Sequence, residues 1–148
     1  MESGGPSRDT AWAMSEENVE AMRKVYDAMA RGDFWAAGEV LDPEIEWSWS
    51  SSMSGLTGVG TYYGIEGVEA ATREFFRAWE MFRQEAEEFI EEGDDVVVVV
   101  RMNGRLKGSD QEMEQTAGHI WTFRDARVIR FRAFHSPAEA LEAAGLSE

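Results

Sequence analysis

Two histidines, His119 and His135, are the residues of this chain best suited to proton transfer near neutral pH. Imidazole has an unperturbed pKa of about 6.5, so modest changes in its surroundings move it between the neutral and the charged form. Alternatively, His119 has a structural role in the core or in a cavity wall, held by a hydrogen bond to a neighbour, because the sequence shows no acidic partner for it. Both interpretations stay open at this stage.

The register of a predicted hairpin decides what surrounds His119. A two-residue turn at Asp125 and Ala126 places His119 beside Arg132, whereas one additional turn residue places it on the apolar face with Ile129 and Phe131. We favour the apolar placement. His135 then lies about 10 Å from His119 along the strands, so the two histidines cannot bind one metal ion, and we predict no metal site.

Aromatic residues recur at strand and helix spacing throughout the chain. They predict either the wall of a pocket for an apolar or aromatic ligand or ordinary core packing, and some serve both purposes. The predicted ligand-binding set is Tyr26, Trp47, Trp49, Phe75, Trp79, Trp121 and Phe131.

Composition narrows the range of functions. The formal net charge is −15, from 29 acidic against 14 basic residues, which disfavours nucleic acid and anionic membranes as partners. Cysteine is absent, which excludes disulfides, thiolate catalysis and cysteine-ligated metals. No apolar run reaches the roughly 18 residues of a membrane span, and no leader-like segment is evident, so we expect a cytoplasmic protein. We also predict no cofactor.

The sequence pattern of the first half of the chain predicts mainly helices. Residues 1–13 are predicted to be a disordered leader, and residues 14–148 a single domain. Ser15 is the predicted N-cap of a helix that ends at Gly32, and a short second helix follows Asp33. A strand over 45–49 and an irregular loop over 50–64 precede a third helix, whose predicted apolar stripe is Val68, Ala71, Phe75, Trp79 and Phe82.

The second half reads as four strands, 85–90, 96–107, 111–123 and 128–135, with turn residues between them. Five consecutive valines at 96–100 predict a strand covered on both faces or lying at a dimer interface, and we predict a homodimer. Ser136 and Glu139 predict a capping box for a final short helix. Helices segregated against an antiparallel sheet indicate the α+β class.

This order of elements resembles the nuclear transport factor 2-like superfamily, and several segments look like its SnoaL-like members. The segments that carry the likeness are SEENV at 15–19, RGD at 31–33, LDPEIEW at 41–47, YGIEGV at 63–68, GHIWTFRD at 118–125 and AEALEAAGL at 138–146. The resemblance implies a strongly bent antiparallel sheet, wrapped by the N-terminal helices into a cone-shaped barrel with an internal pocket.

The resemblance also implies where site residues would lie. The catalytic tyrosine and the general-base aspartate of ketosteroid isomerases fall on Val25 and Trp49, so that mechanism is not supported. The acid of the family's polyketide cyclases falls on His119, the candidate catalytic residue, and His135 falls where the family has a cavity rim and is predicted to line the pocket.

The family includes cyclases, isomerases, dehydratases and proteins without catalysis, so the fold does not decide the function. We predict a pocket protein that binds a small hydrophobic molecule. The alternative is a cofactor-independent cyclase, isomerase or dehydratase that acts on a hydrophobic carbonyl compound with His119 as general acid or base.

Overall fold

The computed structural model describes the backbone of residues 8–49 and 60–146, and the side chains of residues 16–48 and 60–146. Residues 50–59, which make up most of the predicted loop, lie outside this description. The predicted leader over 1–13 and the domain span 14–148 stay predictions.

The first helix, α1 (Arg8–Ala30), begins earlier than the predicted cap at Ser15. Helix formers such as Ala11 and Ala13 precede Ser15, so the helix continues through that position. It buries Met22, Tyr26 and other apolar residues. Gly32, with a φ of 102°, follows it. The second predicted helix forms as a short 3₁₀ helix (Ala36–Val40).

The described residues form one six-stranded sheet. Its strands are β1 (Leu41–Trp49), β2 (Thr61–Tyr63), β3 (Trp79–Glu92), β4 (Asp95–Leu106), β5 (Met113–Arg124) and β6 (Arg127–Phe134), in the order β2-β1-β6-β5-β4-β3. The sheet is open, with β2 and β3 at its edges. It is also mixed, because β1 runs parallel to β6, so the expectation of an entirely antiparallel sheet was wrong. The long connection between these two strands allows parallel pairing.

The predicted third helix forms as α2 (Gly64–Arg77), which ends before Trp79 and is therefore shorter than predicted. Trp79 and Phe82 continue its apolar spacing but belong to β3, where Phe82 pairs with Gly104 of β4. The ring of Trp79 occupies the space of a side chain at position 104, where an added Cβ would lie 2.5 Å from it. Strand pairing therefore overrides the helical pattern at this point.

The hairpin between β5 and β6 fixes the face on which His119 lies. Asp125 and Ala126 form a two-residue turn with φ of 55° and 68°, as type I′ turns require. A bulge after Thr122 supplies the additional residue that shifts the register, so that His119 pairs with Ala133, and Arg132 pairs with Ile120 instead. His119 therefore lies on the apolar face with Phe131, as predicted, but Val128 takes the place expected for Ile129, and the additional residue lies in the bulge and not in the turn.

Four of the five consecutive valines are buried, on both faces of the sheet, whereas Val99 is partly exposed. Val96, Val98 and Val100 belong to the main core with α1, whereas Val97 packs with Ile120 and Ala140 on the opposite face. Ala140 belongs to the last helix, α3 (Pro137–Ala143), whose predicted cap forms where the Glu139 N–H donates to Ser136 Oγ at 3.2 Å. None of the helices in the described part of the chain has the length and hydropathy to cross a membrane.

Candidate functional site

A cavity of about 70 Å³ lies between the helices and the inner face of the sheet. Its wall is mainly aromatic and aliphatic, with Thr72, Gln84 and His119 as the polar contributors. The lining residues are Met29, Phe34, Trp35, Ala37, Leu41, Trp47, Thr72, Phe75, Phe76, Phe82, Gln84, Met102 and His119. Trp35 is 36% exposed, the most exposed of this set, so the cavity approaches the surface there.

His119 is held by a chain of hydrogen bonds that leads away from the cavity. Its Nδ1 lies 2.6 Å from the phenol oxygen of Tyr26 on α1. The indole Nε1–H of Trp121, two residues along β5, donates to the same phenol oxygen at 2.9 Å. All three side chains are buried, and His119 alone of them lines the cavity. Tyr26 and Trp121 therefore form a polar support behind the histidine.

Burial keeps the side chains of both His119 and Tyr26 in their uncharged forms. It lowers the pKa of His119 from 6.5 to about 3, because the charged ring would lose its hydration. Burial also raises the pKa of the Tyr26 phenol well above its usual value, although the hydrogen bond from Trp121 opposes that rise. At neutral pH the pair consists of an uncharged imidazole and an uncharged phenol.

Trp47, Phe131 and Trp121 form an aromatic row across β1, β6 and β5. Phe131 is the cross-strand partner of both tryptophans, and its ring stacks on Trp47 at 4.0 Å between centroids. The ring of His119 meets the same Phe131 edge to face at 5.1 Å. The indole Nε1 of Trp47 is buried and has no hydrogen-bond partner among the described residues.

The structure brings some of the predicted ligand-binding residues to the cavity and not others. Trp47, Phe75 and His119 line it, and Tyr26, Trp121 and Phe131 lie directly behind them. Trp79 packs on Phe75 and Phe82 but does not line the cavity.

His135 lies apart from this cavity. It is exposed, and its Nδ1 lies 3.1 Å from Nε2 of Gln115. Only the backbone of Trp49 is described, where it pairs with Ala133 in the row that contains His119.

Besides Thr72, the sequence analysis missed one polar lining residue, Gln84. Its side chain is 9% exposed, and its Nε2 donates to the thioether sulfur of Met29 at 3.0 Å. It lies in a strand rich in glutamate, so the sequence pattern predicts a solvent-facing edge strand. The signal that could have found it is the apolar character of the neighbouring positions on the same face, Phe82 and Ala86.

Charged groups are absent from the described lining of the cavity, which contains no acidic residue, lysine or arginine. Across the described residues, no group of three histidine, aspartate or glutamate side chains could hold a metal ion. The arrangement can thus offer an apolar surface, aromatic stacking and neutral hydrogen-bond donors.

The sequence profile of the SnoaL-like domain matches residues 22–131, most of the chain, and the match spans Tyr26, Trp47 and His119. The chain belongs to the SnoaL-like domain family. No curated protein matches this SnoaL-like domain.

Solved structures share the fold of this SnoaL-like domain. An NTF2-like protein of unknown function from Burkholderia pseudomallei K96243 is 26% identical with a TM-score of 0.72, covering 85% of this chain and 95% of its own. TerC, co-crystallised with polyporic acid, is 25% identical with a TM-score of 0.70, covering 87% and 98%. A protein from Jannaschia sp. CCS1, provisionally described as a SnoaL-like polyketide cyclase, is 22% identical with a TM-score of 0.70, covering 99% of both chains.

Proposed function

We propose that this SnoaL-like domain binds a small hydrophobic molecule in the cavity that His119 lines. The observation that carries the proposal is an apolar, largely aromatic wall interrupted by a few neutral polar groups. Binding sites for small molecules have this composition, in which apolar surface supplies affinity and a few polar groups fix orientation. The co-crystal of TerC with polyporic acid supports the proposal, because it shows a related protein crystallised with an organic ligand.

The size of the cavity sets a condition on binding. At about 70 Å³ it is about half the roughly 150 Å³ of an engineered cavity that binds benzene. A cyclic ligand therefore requires the wall to move. Met29 and Met102 line the cavity, and their unbranched side chains repack more readily than aromatic rings. Under this proposal, the sheet bends around the ligand and encloses it against the helices, as the cone-shaped fold of the family implies.

The second candidate function is a cofactor-independent cyclase, isomerase or dehydratase that acts on a hydrophobic carbonyl compound. Its support is limited to the positioning of His119 by the Tyr26 phenol, a titratable group that lies at hydrogen-bonding distance from the ring but does not line the cavity. Its difficulty is the pKa of about 3 for His119, since a general base works best with a pKa near the operating pH. Catalysis by His119 would require the bound substrate to alter this environment.

One experiment separates the two functions. Cyclopent-3-enone, which can isomerise to cyclopent-2-enone, and 3-hydroxycyclopentanone, which can lose water to give the same enone, are titrated into the wild-type protein and the His119→Gln variant, while binding is followed by NMR and product formation by chromatography. Binding without product supports the pocket protein. Product formation that falls about 10²- to 10⁴-fold in His119→Gln supports the enzyme. Absence of binding by both ketones contradicts the proposed function.

We propose a cytoplasmic homodimer that acts without a metal ion, an organic cofactor, nucleic acid or a membrane. The charge of −15 supports the exclusion of polyanionic partners, because like charges repel over several ångströms at physiological salt.

A further inference from the structure

The hydrogen bonds behind His119 determine which ring nitrogen carries its proton. An indole N–H can only donate, so the Tyr26 oxygen accepts from Trp121. The phenol hydrogen then needs an acceptor of its own. Within the described residues, His119 Nδ1 at 2.6 Å is the acceptor in reach. The neutral ring therefore carries its hydrogen on Nε2, because the other tautomer leaves the phenol hydrogen buried and unsatisfied.

The Nε2–H group of His119 is the one left for the cavity. Nδ1 is directed at Tyr26, which does not line the cavity, whereas the ring of His119 does. His119 is thus presented to a ligand as a neutral hydrogen-bond donor. A ring in this state cannot accept a proton at Nε2.

A second donor stands beside it. Trp47 lines the cavity and is 9% exposed, and its buried Nε1–H has no partner among the described residues. Buried polar groups are nearly always paired, so this group calls for an explanation. Trp47 and His119 pack against the same ring of Phe131, at 4.0 Å and 5.1 Å between centroids, so both rings belong to one part of the wall.

We propose that the ligand of this cavity is an uncharged molecule with a carbonyl-type oxygen that accepts hydrogen bonds from His119 Nε2–H and Trp47 Nε1–H, and that Tyr26 is the positioning residue that fixes the histidine as donor. The inference rests on the proposed function. A carboxylate ligand is disfavoured, because the described lining offers no cation to compensate its loss of hydration. A hydrocarbon is disfavoured because it leaves both donors unsatisfied.

The first test needs no ligand. Two-bond ¹H–¹⁵N correlation spectra of the full chain at neutral pH assign the tautomer of His119, with a His135→Gln variant used to identify its signals. We expect Nε2 protonated and Nδ1 as acceptor, and a shift of the Nδ1 signal toward that of an unbonded nitrogen in Tyr26→Phe. Tyr63→Phe, at an exposed position, is the control that should leave the spectrum unchanged. A proton on Nδ1 would overturn the proposal.

The second test uses two probes of one shape. Cyclopentanone and methylenecyclopentane differ in an exocyclic oxygen against an exocyclic CH₂ group. We expect cyclopentanone to bind about five- to tenfold more tightly, as one or two hydrogen bonds would give, and the preference to shrink in Trp47→Phe. The readout is the ratio of the two affinities within each protein, because the smaller phenyl ring of Trp47→Phe changes the apolar contacts of both probes alike.

The outcomes of the second test separate two failures. Equal affinity for the two probes would overturn the assigned ligand class while leaving the pocket function intact. Binding of neither probe would contradict the proposed function, and the ligand class with it, whereas the tautomer measured without ligand would still decide the role of Tyr26. A loss of thermal stability in Trp47→Phe would confine the comparison of probes to the wild-type protein, where the expected preference remains decisive.

Discussion

The phenol oxygen of Tyr26 lies 2.6 Å from Nδ1 of His119, although 93 positions separate the two residues in sequence. The contact joins α1 to β5 across the interior, beside the aromatic row of Trp47, Phe131 and Trp121. It is a buried polar contact in an apolar core, and it therefore couples the stability of the fold to the state of the site.

Replacing Tyr26 by Phe should lower the free energy of unfolding by about 1–3 kcal/mol. The change leaves Trp121 Nε1–H and His119 Nδ1 buried without a partner, which is more costly than the loss of an exposed hydrogen bond. Urea unfolding followed by tryptophan fluorescence measures the effect. The matched control is Tyr63→Phe at a site 69% exposed, where a change within about 0.5 kcal/mol is expected. Equal losses in the two variants would contradict the hydrogen-bond chain.

Stability should fall through His119 as the pH is lowered from about 6.5 toward 3. The ring has a pKa of 6.5 in the unfolded chain and about 3 in the folded one, so between these values the unfolded state binds more protons. Above 6.5 both states are neutral and the contribution is complete.

The measurement compares wild type with His119→Gln, which lacks this titration. We expect the stability advantage of the wild type to narrow by on the order of 1–3 kcal/mol between pH 7.5 and pH 4.5. A difference between the two proteins that stays constant with pH would show that His119 is not held in the neutral form.

Gly118→Ala should destabilise the chain by about 1–3 kcal/mol, because α3 packs directly on this position. An added Cβ would lie 2.5 Å from Cβ of Ala140 and 3.1 Å from Cα of Pro137, so the helix would have to shift. Thermal unfolding measures the loss. Gly60→Ala is the control, since an added Cβ there meets nothing within 4 Å. An unchanged melting temperature in Gly118→Ala would mean that α3 is free to move.

The homodimer stays a prediction, and less uncovered apolar surface is available for it than the sequence indicated. On the outer face of the sheet α3 already buries Val97 and Ile120, and Val99 and Phe134 remain partly exposed. If the dimer forms through this face, light scattering at micromolar concentration should give twice the mass of the chain. Val99→Lys should then give a monomer, whereas a monomeric wild-type protein would contradict the prediction.

Most helices and strands could be predicted because the sequence patterns that mark them are local. The turn residues and alternating patterns predicted the strands of the second half, and Ser136 predicted its cap. The errors concern partners that are distant in sequence. The apolar spacing from α2 through Trp79 and Phe82 fits a helix, and only the pairing of Phe82 with Gly104 turns that segment into a strand. The parallel pairing of β1 with β6 likewise leaves no mark in either strand alone.

The candidate site was predictable to a similar extent. His119, Trp47 and Phe75 could be found from residue type and spacing, together with the family resemblance. The role of Tyr26 could not, since helical periodicity marks it only as an apolar-facing residue of α1. The contact of Tyr26 with His119 depends on the bulge after Thr122, which sets the register of His119.

The open edge at β3 has a consequence for behaviour at high concentration. A long unpaired edge strand exposes backbone groups that can recruit a strand from another molecule, which is a common route to aggregation. Here that edge carries Glu85, Glu87 and Glu88, and its ladder with β4 is interrupted between Ala86 and Glu88. Both features oppose strand addition, the first by repulsion between like charges and the second by irregular geometry. Raising the salt concentration screens only the first, so the irregular backbone is the safeguard that persists.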